Sequence, residues 1–345
     1  MKTAIILLIS ILSVACSTHK TDNRNSSKNF KDGAFHNSTN VKTSSFWDIV
    51  WGGLTSDIEQ AEWPEWITTE EDKNPLERVQ GDNTRITFIN HASFLIQGAS
   101  LNILTDPVFS ERTSPLSFAG PKRIHKPGIE LENLPKIDVI IISHDHYDHL
   151  DLSSINQLIE RDNPKVYMGL GVASRLEKSE NNIEMDWGDM AQIGDNFKIW
   201  FLEVQHFSGR TLLDRDSTLW GGFYMQLAGK KIYFGGDSGY ADHYKEAFQQ
   251  FGAMDISLIP IGAYAPRQFF KPVHLDPFEA VQAHQDLHSG VSIGMHYGTF
   301  QLSAESRTDP VTLLDQAKIE AGVASSDFIT MEIGQPVTFS AKNTQ

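Results

Sequence analysis

The sequence is poor in cysteine and in positive charge. It has one cysteine in 345 residues, and 29 Lys and Arg against 44 Asp and Glu give a formal net charge of −15. A single cysteine excludes a disulfide framework and a zinc site built from several thiolates. The acidic balance argues against nucleic-acid binding, which depends on Lys and Arg neutralising phosphates. With 13 histidines present, any metal site is expected to use imidazole and carboxylate ligands.

The N-terminus contains the longest apolar run of the sequence. Residues 1–16 read MKTAIILLISILSVAC, with one Lys, a mostly apolar stretch and small residues ahead of Cys16. This stretch is too short to span a bilayer and has the layout of a secretory signal peptide. Its end, LSVAC, resembles a bacterial lipobox, which implies a lipidated Cys16, and the Ser that follows implies the outer membrane. We therefore expect a lipid-anchored protein of the bacterial cell envelope that faces the periplasm. The alternative is an ordinary signal peptide followed by an accidental cysteine.

Three further segments differ in composition. Residues 17–46 are rich in Ser, Thr, Asn and Lys, which predicts a flexible tether. Residues 47–84 contain four tryptophans and are interpreted as an N-terminal arm packed on the core, with an aromatic surface at a membrane interface as the alternative. From residue 85 to 345, strand and helix patterns alternate without a linker, beginning with a strand predicted at 85–96. This pattern predicts one α/β domain built on two sheets.

The motif HDHYDH at 144–149 follows a strand pattern, VIIIS, that is typical of a buried strand. Residues two apart in an extended chain point the same way, so His144 and His146 can converge on one ion. The turn that follows directs Asp148 and His149 toward a second ion. Three histidines at the end of a buried strand each need a partner to offset their desolvation. The motif therefore predicts a metal centre rather than a solvated polar turn.

Further candidate ligands stand at the ends of later strand patterns. His206 and His296 each end such a pattern, and Asp237 follows another through two glycines that allow a close backbone approach. Sites in α/β proteins are built at the carboxyl ends of strands. One such histidine alone is more often structural. Together, and downstream of HDHYDH, the three residues strengthen the prediction of a two-ion centre.

With these motifs the chain resembles the metallo-β-lactamase superfamily and, within it, the N-acylphosphatidylethanolamine-hydrolysing phospholipase D family. The resemblance covers residues from about 85 to about 335 and implies an α/β fold, the αβ/βα four-layer sandwich of the metallo-β-lactamase type. The motifs that support the narrower family are TDPVF at 105–109, GPKR at 120–123, LWG at 219–221, GDSGY at 236–240, PIGAYAPR at 260–267 and HYGTF at 296–300.

The resemblance also implies roles for the candidate ligands. One zinc ion would be held by His144, His146 and His206, a second by Asp148, His149 and His296, and Asp237 would bridge the two. Cys16 lies far outside this site, so the chemistry of β-lactamases that use a cysteine ligand is not expected. Around the ligands, Asp106 is expected to accept a hydrogen bond from a ligand imidazole. For His91, a similar supporting role and simple core packing both remain open.

The implied reaction is a zinc-dependent phosphodiester hydrolysis. A hydroxide bridging two Zn²⁺ ions would attack phosphorus, releasing phosphatidic acid and N-acylethanolamine from N-acylphosphatidylethanolamine. Asp148 and His274 are the catalytic candidates, with His274 protonating the leaving group or contacting phosphate; a loop histidine that caps the next helix is the alternative. Tyr264 and Arg267 are candidates for binding phosphate, although a structural salt bridge is an alternative for Arg267. A local cationic patch is expected from Lys122, Arg123, Arg267 and Lys271.

The alternative functions are other reactions that use the same metal ligands, or a binding role without catalysis. A lactonase or other small-ester hydrolase of this fold is the main alternative, and a non-catalytic envelope binding protein belongs to a different class. A tRNA-processing nuclease would share the ligands, but export and acidic charge oppose it. The expected partners are a phospholipid substrate and, through the lipid anchor, a membrane, with no nucleic acid. The sequence does not fix the oligomeric state, and a homodimer is one option.

Overall fold

The computed structural model describes residues 23–39 and 59–340. The predicted signal peptide with Cys16, as well as Trp47 and Trp51, lies outside the described residues. Within the described part, none of the helices has the length and apolar character needed to cross a membrane.

The described elements alternate between strands and helices. The strands are β1 (Phe30–Lys31), β2 (Ala34–Phe35), β3 (Thr84–Asn90), β4 (Ser93–Gly98), β5 (Leu101–Thr105), β6 (Val139–Ile142), β7 (Lys165–Gly169), β8 (Asn182–Met185), β9 (Met190–Ile193), β10 (Phe197–Leu202), β11 (Gly222–Leu227), β12 (Lys230–Phe234), β13 (Ile256–Pro260), β14 (Val291–Met295), β15 (Phe328–Ile329) and β16 (Pro336–Phe339). The α-helices are α1 (Leu152–Asp162), α2 (His243–Phe251), α3 (Arg267–Phe270), α4 (Pro277–Asp286) and α5 (Asp309–Ala321).

Two seven-stranded sheets form the centre of the domain. Their strand orders are β16-β3-β4-β5-β6-β7-β8 and β15-β14-β13-β12-β11-β10-β9. In each sheet the four strands at one end pair antiparallel, and the rest continue in parallel from β5 or from β12. Large apolar side chains such as Phe88, Phe201 and Phe234 fill the space between the sheets.

Helices cover the outer faces of both sheets. Ile155 and Leu158 of α1 pack on the first sheet. On the second sheet, α2, α4 and α5 bury residues such as Tyr244 and Leu314. This arrangement has the four layers of the predicted αβ/βα sandwich, so the fold prediction is confirmed. It also explains the continuous apolar run of β6, since a parallel strand between two layers is buried on both faces.

The strand predicted at 85–96 is wrong in one respect, because the chain reverses in its middle. β3 and β4 form a hairpin whose turn is His91-Ala92, and His91 has a left-handed φ of 47°. That conformation is unfavourable for a residue with a side chain. Here it is held from outside, because the His91 N–H donates to Thr299 Oγ1 (3.0 Å) and the His91 carbonyl accepts from the His296 N–H (2.8 Å). No local turn signal marks this reversal in the sequence.

The flexible tether predicted for residues 17–46 is wrong for its described part, 23–39. There β1 and β2 form a hairpin in which Phe35 is 1% exposed and packs in the core between the sheets. The Phe35 N–H donates to the Asp216 carbonyl (2.7 Å), and Asn37 Nδ2 donates to the Val204 carbonyl (2.7 Å). The segment has few apolar residues of its own, but Phe35 packs into the core formed by the rest of the chain.

The described part of the Trp-rich arm, 59–84, lies along the domain. Its backbone donates from Ile67 to the Ile124 carbonyl and from Asp72 to the Gly128 carbonyl, both at 2.7 Å. Trp63 Nε1 donates to the Glu305 carbonyl (2.9 Å). These contacts agree with the packed-arm interpretation. Trp66 differs, since half of its surface is exposed.

Replacing Phe35 by Ala tests whether the hairpin is part of the folded domain. Phe35→Ala is expected to lower the free energy of unfolding by about 3 kcal/mol, because it empties a buried aromatic site. The measurement is chemical denaturation followed by circular dichroism. The matched control Phe278→Ala removes an exposed ring on α4 and should change stability by less than about 1 kcal/mol. Equal effects of the two substitutions would contradict the packing of the hairpin on the core.

Candidate metal centre

Three imidazoles meet at the carboxyl edge of the sheets. His144 and His146 follow β6, and His206 follows β10. His146 Nδ1 lies 2.8 Å from His144 Nε2 and 3.4 Å from His206 Nε2. All three side chains are buried or nearly so, and their nitrogens are close enough to hold a single metal ion. The structure thus brings together the first predicted ligand triad.

A second group surrounds Asp148. Its Oδ2 atom lies 3.2 Å from His296 Nε2 and 3.5 Å from His149 Nε2, which unites the second predicted triad. His91 Nε2 also donates to Asp148 Oδ2 at 3.0 Å. The left-handed turn between β3 and β4 therefore places His91 in the cluster. This position agrees with the supporting role and not with simple core packing, and His91 is itself within reach of a shared ion.

Asp237 lies between the two groups. Its Oδ2 atom is 3.0 Å from His296 Nε2 and 3.2 Å from His149 Nε2. The same oxygen is 3.8 Å from His206 Nε2 and 4.0 Å from His144 Nε2. This is the place that a bridging carboxylate would occupy.

The glycine ahead of Asp237 makes that position accessible. Gly236 has φ of 55°, and a Cβ atom there would lie 2.7 Å from the Cβ of Ser143. Only a residue without a side chain allows the two loops, one from each sheet, to approach so closely.

The side chains of the cluster cannot satisfy all of their polar atoms by bonding to one another, whereas a metal ion could satisfy them. Several buried polar atoms of the cluster have no hydrogen-bond partner among the described residues, including His149 Nε2, Asp237 Oδ1 and His274 Nδ1. His149 Nε2 lies 3.2 Å from Asp237 Oδ2 without forming a hydrogen bond to it. Buried polar groups are seldom left unpaired. Imidazole nitrogens and carboxylate oxygens converging in this way are able to bind a divalent metal.

Hydrogen bonds at the far side of three imidazoles leave their Nε2 atoms facing the centre. His149 Nδ1 donates to Asp106 Oδ2 (2.7 Å), as expected for Asp106, and His206 Nδ1 donates to the Val273 carbonyl (2.9 Å). His144 Nδ1 donates to Ser143 Oγ (2.9 Å). Such partners fix the tautomer and orientation of a ligand histidine.

Ser143 was not singled out by the sequence. Its N–H donates to Asp106 Oδ1 (2.7 Å) and its hydroxyl to Asp106 Oδ2 (2.6 Å). The only signal in the sequence is its position, between the buried strand β6 and the first histidine of the motif. Ser143 thereby links Asp106 to His144, so that one buried carboxylate orients two imidazoles.

The carboxylates of the cluster are held in their ionised form. Burial alone would raise the pKa of Asp237, but His149 and His296 outweigh this effect and hold the pKa well below its usual range. For His296, burial acts to lower the pKa, but Asp237 and Asp148 raise it to about 9. The pKa of His149 is raised above its usual value by the same carboxylates, against its own burial. Without a metal, His149 and His296 therefore hold protons at neutral pH.

His274 lies at the cluster, between α3 and α4. Its Nδ1 atom is 3.8 Å from Asp237 Oδ2, and burial lowers its pKa to about 4. The alternative role, capping α4, belongs instead to Asp276, whose side chain accepts from the Glu279 N–H (2.9 Å). At neutral pH His274 is consequently a neutral imidazole, suited to donating a hydrogen bond.

Arg267 is engaged by other side chains. Its guanidinium contacts Glu279 Oε2 at 2.5 Å and Asp276 Oδ2 at 3.3 Å, and it donates to the His274 carbonyl at 2.7 Å. These contacts agree with the salt-bridge alternative rather than with phosphate binding. The Tyr264 hydroxyl is buried without a hydrogen-bond partner among the described residues. Its role in binding phosphate therefore stays a prediction.

The predicted cationic patch does not form. Lys122 pairs with Glu111 (2.8 Å), and Lys271 lies 3.8 Å from Glu279, which also binds Arg267. Arg123 is buried and donates to backbone carbonyls, including that of Val108 (2.8 Å). The sequence could not show these partners, because most of them are distant along the chain or come from loops.

A cavity of about 470 Å³ lies beside His206. The N-terminal hairpin and the residues after it contribute Lys31 and Asn37 to the lining, which also includes Phe207 and Trp220. The ring of Phe207 packs on the imidazoles of His146 and His206, with ring centres 4.5 and 4.9 Å away. The cavity thus borders the metal cluster, and the segment predicted as a tether provides part of its lining.

Asp106→Asn tests the orienting carboxylate. Because it weakens the acceptor for His149 and Ser143, metal affinity is expected to fall by about 10- to 100-fold. Metal binding is measured by competition with a chromophoric chelator, and circular dichroism verifies folding. The control Asp242→Asn changes an exposed carboxylate whose contact is with Lys245 (3.4 Å), and it should leave metal affinity unchanged. A folded Asp106→Asn protein with wild-type affinity would contradict the assigned role.

Metal uptake is expected to release protons. A ligand imidazole must be neutral, whereas His296, with a pKa of about 9, holds a proton at neutral pH in the metal-free protein. Affinity should therefore rise as the pH increases from 6 toward 9 and then level off. Calorimetric titration in two buffers of different ionisation enthalpy measures the protons released, expected to be about one to two per protein. Heats independent of the buffer, with a flat pH profile, would argue against protonated ligands.

Comparison with known proteins places the chain in a family. A model described as a Beta-lactamase superfamily domain matches residues 101–297. The N-acyl-phosphatidylethanolamine-hydrolyzing phospholipase D 1 of Caenorhabditis elegans is 34% identical over 267 residues, which cover 72% of this chain and 74% of that protein. The mitochondrial enzyme of the same name from Saccharomyces cerevisiae is 35% identical over 223 residues, which cover 62% of this chain and 47% of that protein.

Solved structures share the fold at low sequence identity. Igni18, a metallo hydrolase from Ignicoccus hospitalis, has a TM-score of 0.56 at 23% identity and covers 75% of this chain and 100% of its own. The isothiocyanate hydrolase from Delia radicum gut bacteria has a TM-score of 0.58 at 22% identity, covering 74% and 100%. Sequence and fold agree with the cluster of imidazoles and carboxylates. The chain belongs to the metallo-β-lactamase superfamily, as a metal-dependent hydrolase of the family that includes the N-acylphosphatidylethanolamine-hydrolysing phospholipases D.

Proposed function

We propose that the protein is a zinc-dependent phosphodiesterase that hydrolyses N-acylphosphatidylethanolamine to phosphatidic acid and N-acylethanolamine. The main observation behind the proposal is the pair of ligand groups that share Asp237, in a chain related to phospholipases D that act on this lipid. His144, His146 and His206 would hold one Zn²⁺, and Asp148, His149 and His296 the other. When bound, two adjacent ions would supply acidified water and charge stabilisation for phosphate oxygens.

The residues around the ligands have separate tasks in this proposal. Asp106 and Ser143 keep His149 and His144 in one orientation. Asp148 stays ionised, since its pKa is held well below its usual range by His149 and His296 against the effect of burial. His274 is neutral, so we assign it a hydrogen bond to the substrate phosphate instead of the donation of a full proton to the leaving group.

The cavity beside His206 offers space for one part of the substrate. Its lining combines the aromatic rings of Phe207 and Trp220 with polar groups, which are Asn37, the ammonium of Lys31 and the carboxylates of Asp32 and Asp216. Such a mixture suits the part of an amphipathic molecule in which an amide stands next to an acyl chain. We further propose that a lipidated Cys16 holds the domain at the periplasmic side of the outer membrane, close to this substrate.

A small ester or lactone is the second candidate substrate class. The observation that favours it is the pairing of Arg267 with Glu279 and Asp276, which removes the main cation expected to bind phosphate. The same metal ligands would act on a carboxyl centre. This reading keeps the enzyme class and changes only the substrate.

Hydrolysis of the lipid by the purified, zinc-loaded protein is the direct test. Mass spectrometry should detect both phosphatidic acid and N-acylethanolamine. Asp148→Ala should reduce their formation by more than about 100-fold, because losing only a hydrogen-bond partner of a metal ligand costs up to about 100-fold and Asp148 would be a ligand itself. Asp242→Asn serves as the unaffected control. A panel of small lactones and a chromogenic phosphodiester is assayed with the same sample. Absence of lipid products from metal-replete protein would refute the proposal, and turnover of lactones alone would support the second candidate.

A further inference from the structure

Exposed apolar side chains are concentrated on two loops. Loop A is residues 110–123, and loop B is residues 207–217. Of the nine large apolar side chains that are exposed within the described segments, loop A has two, with Phe118 at 78% and Leu116 at 48%. Loop B has two more, with Leu213 at 97% and Leu212 at 61%. Single exposed apolar residues are ordinary, but a group of them marks an interaction surface.

The two loops are neighbours at the rim of the metal centre. In loop A, the Ser110 N–H donates to Asp151 Oδ2 (2.8 Å). In loop B, Arg210 Nη1 donates to the Leu150 carbonyl (2.8 Å). Leu150 and Asp151 are consecutive and directly follow the metal-binding motif HDHYDH. Both loops are therefore attached to the same short segment, next to His149.

Loop B is held firmly at its base. Asp145, buried inside the HDHYDH motif, accepts from the Gly209 N–H (2.8 Å) and pairs with Arg175 Nη2 (3.3 Å). Arg175 also pairs with Asp214 (2.7 Å), whose other oxygen accepts from the Thr211 N–H (2.7 Å). These bonds enclose the positions of Leu212 and Leu213 on both sides. The exposed leucines thus stand at the tip of an anchored loop.

The charge of the loops differs from that of the whole protein. Loops A and B together have five basic and three acidic residues, whereas the chain has 29 basic and 44 acidic residues. Of the basic residues, Lys122 pairs with Glu111 and Arg215 with Asp216, Arg123 is buried, and Arg112 and Arg210 donate to backbone carbonyls. The formal charge of the two loops is still positive, in a chain that is acidic overall, so their exposed apolar tips meet less repulsion from anionic headgroups than the rest of the surface and can reach the acyl chains below.

We propose that the tips of loops A and B dock on the surface of a phospholipid bilayer and turn the metal centre toward it. The proposal rests on the proposed function, because a lipid substrate must reach the centre from a bilayer. Phe118, Leu212 and Leu213 enter the interfacial region, while the anchored base of loop B keeps His144 and His146 at a fixed distance from it.

A polarity-sensitive dye locates the contact. In the full chain with Cys16→Ser, Leu213→Cys or Phe118→Cys provides a single thiol for labelling. The control is Ile319→Cys, because Ile319 is equally exposed (81%) but lies near the end of α5, outside the two loops. On adding vesicles of phosphatidylethanolamine and phosphatidylglycerol, dye at the two loop positions should shift to the blue, and dye at 319 should not.

Substitution by Asp measures the contribution of the tips. Phe118→Asp with Leu213→Asp should reduce vesicle binding in flotation assays by at least about tenfold, whereas Ile319→Asp should not. Hydrolysis of the lipid in detergent micelles reports separately on the proposed function. Equal dye shifts at all three positions, or vesicle binding unchanged by the Asp substitutions, would overturn the docking proposal. So would a dye shift that follows protein concentration instead of lipid, because it would indicate a second copy of the chain. A loop-specific shift without lipid hydrolysis would overturn only the function.

Discussion

The buried Asp237 carboxylate contacts histidine side chains from both sheets. It lies within 4.0 Å of five imidazole nitrogens, which belong to His144 and His149 after a strand of the first sheet, to His206 and His296 after strands of the second, and to His274 in the loop before α4. An ionised carboxylate buried without such partners would be strongly unfavourable. The alignment of the sheets is therefore constrained by this centre as well as by the apolar core, and any shift of one sheet against the other would separate the ligands.

Most of the remaining polar contacts near the centre serve to hold these imidazoles still. The buried Asp106, which follows β5, reaches across to Ser143 and His149 on the loop after the neighbouring strand β6. His206 is tied to a backbone carbonyl of the loop that also holds His274. These bonds join loops from both sheets and so restrict the orientation of the ligand imidazoles. Protons on His149 and His296, whose pKa values the carboxylates raise, would have to leave when an ion binds.

The ligand set was predictable because it obeys two local rules. HDHYDH has a recognisable spacing, and His206, Asp237 and His296 follow strands whose carboxyl ends must meet at one edge. The folding of residues 23–39 was not predictable in the same way. The composition of this segment alone shows few apolar residues, and it cannot show that Phe35 is buried by residues far along the chain. The turn at His91 was missed for the same reason, because distant groups hold its unfavourable φ.

The cationic side chains near the centre are already engaged by other groups, and this limits which of them could balance the charge of a bound substrate. Arg267 is bound by carboxylates, Arg123 supports a loop backbone, and His274 is neutral at physiological pH. A phosphodiester at this centre would thus have its charge balanced by the ions that the cluster binds, with His274 contributing only a hydrogen bond. An acidic chain would also be repelled by anionic lipid over most of its surface. Under the docking proposal, approach would be favoured where loops A and B bring their exposed apolar tips, and this would orient the centre toward the membrane during the encounter itself.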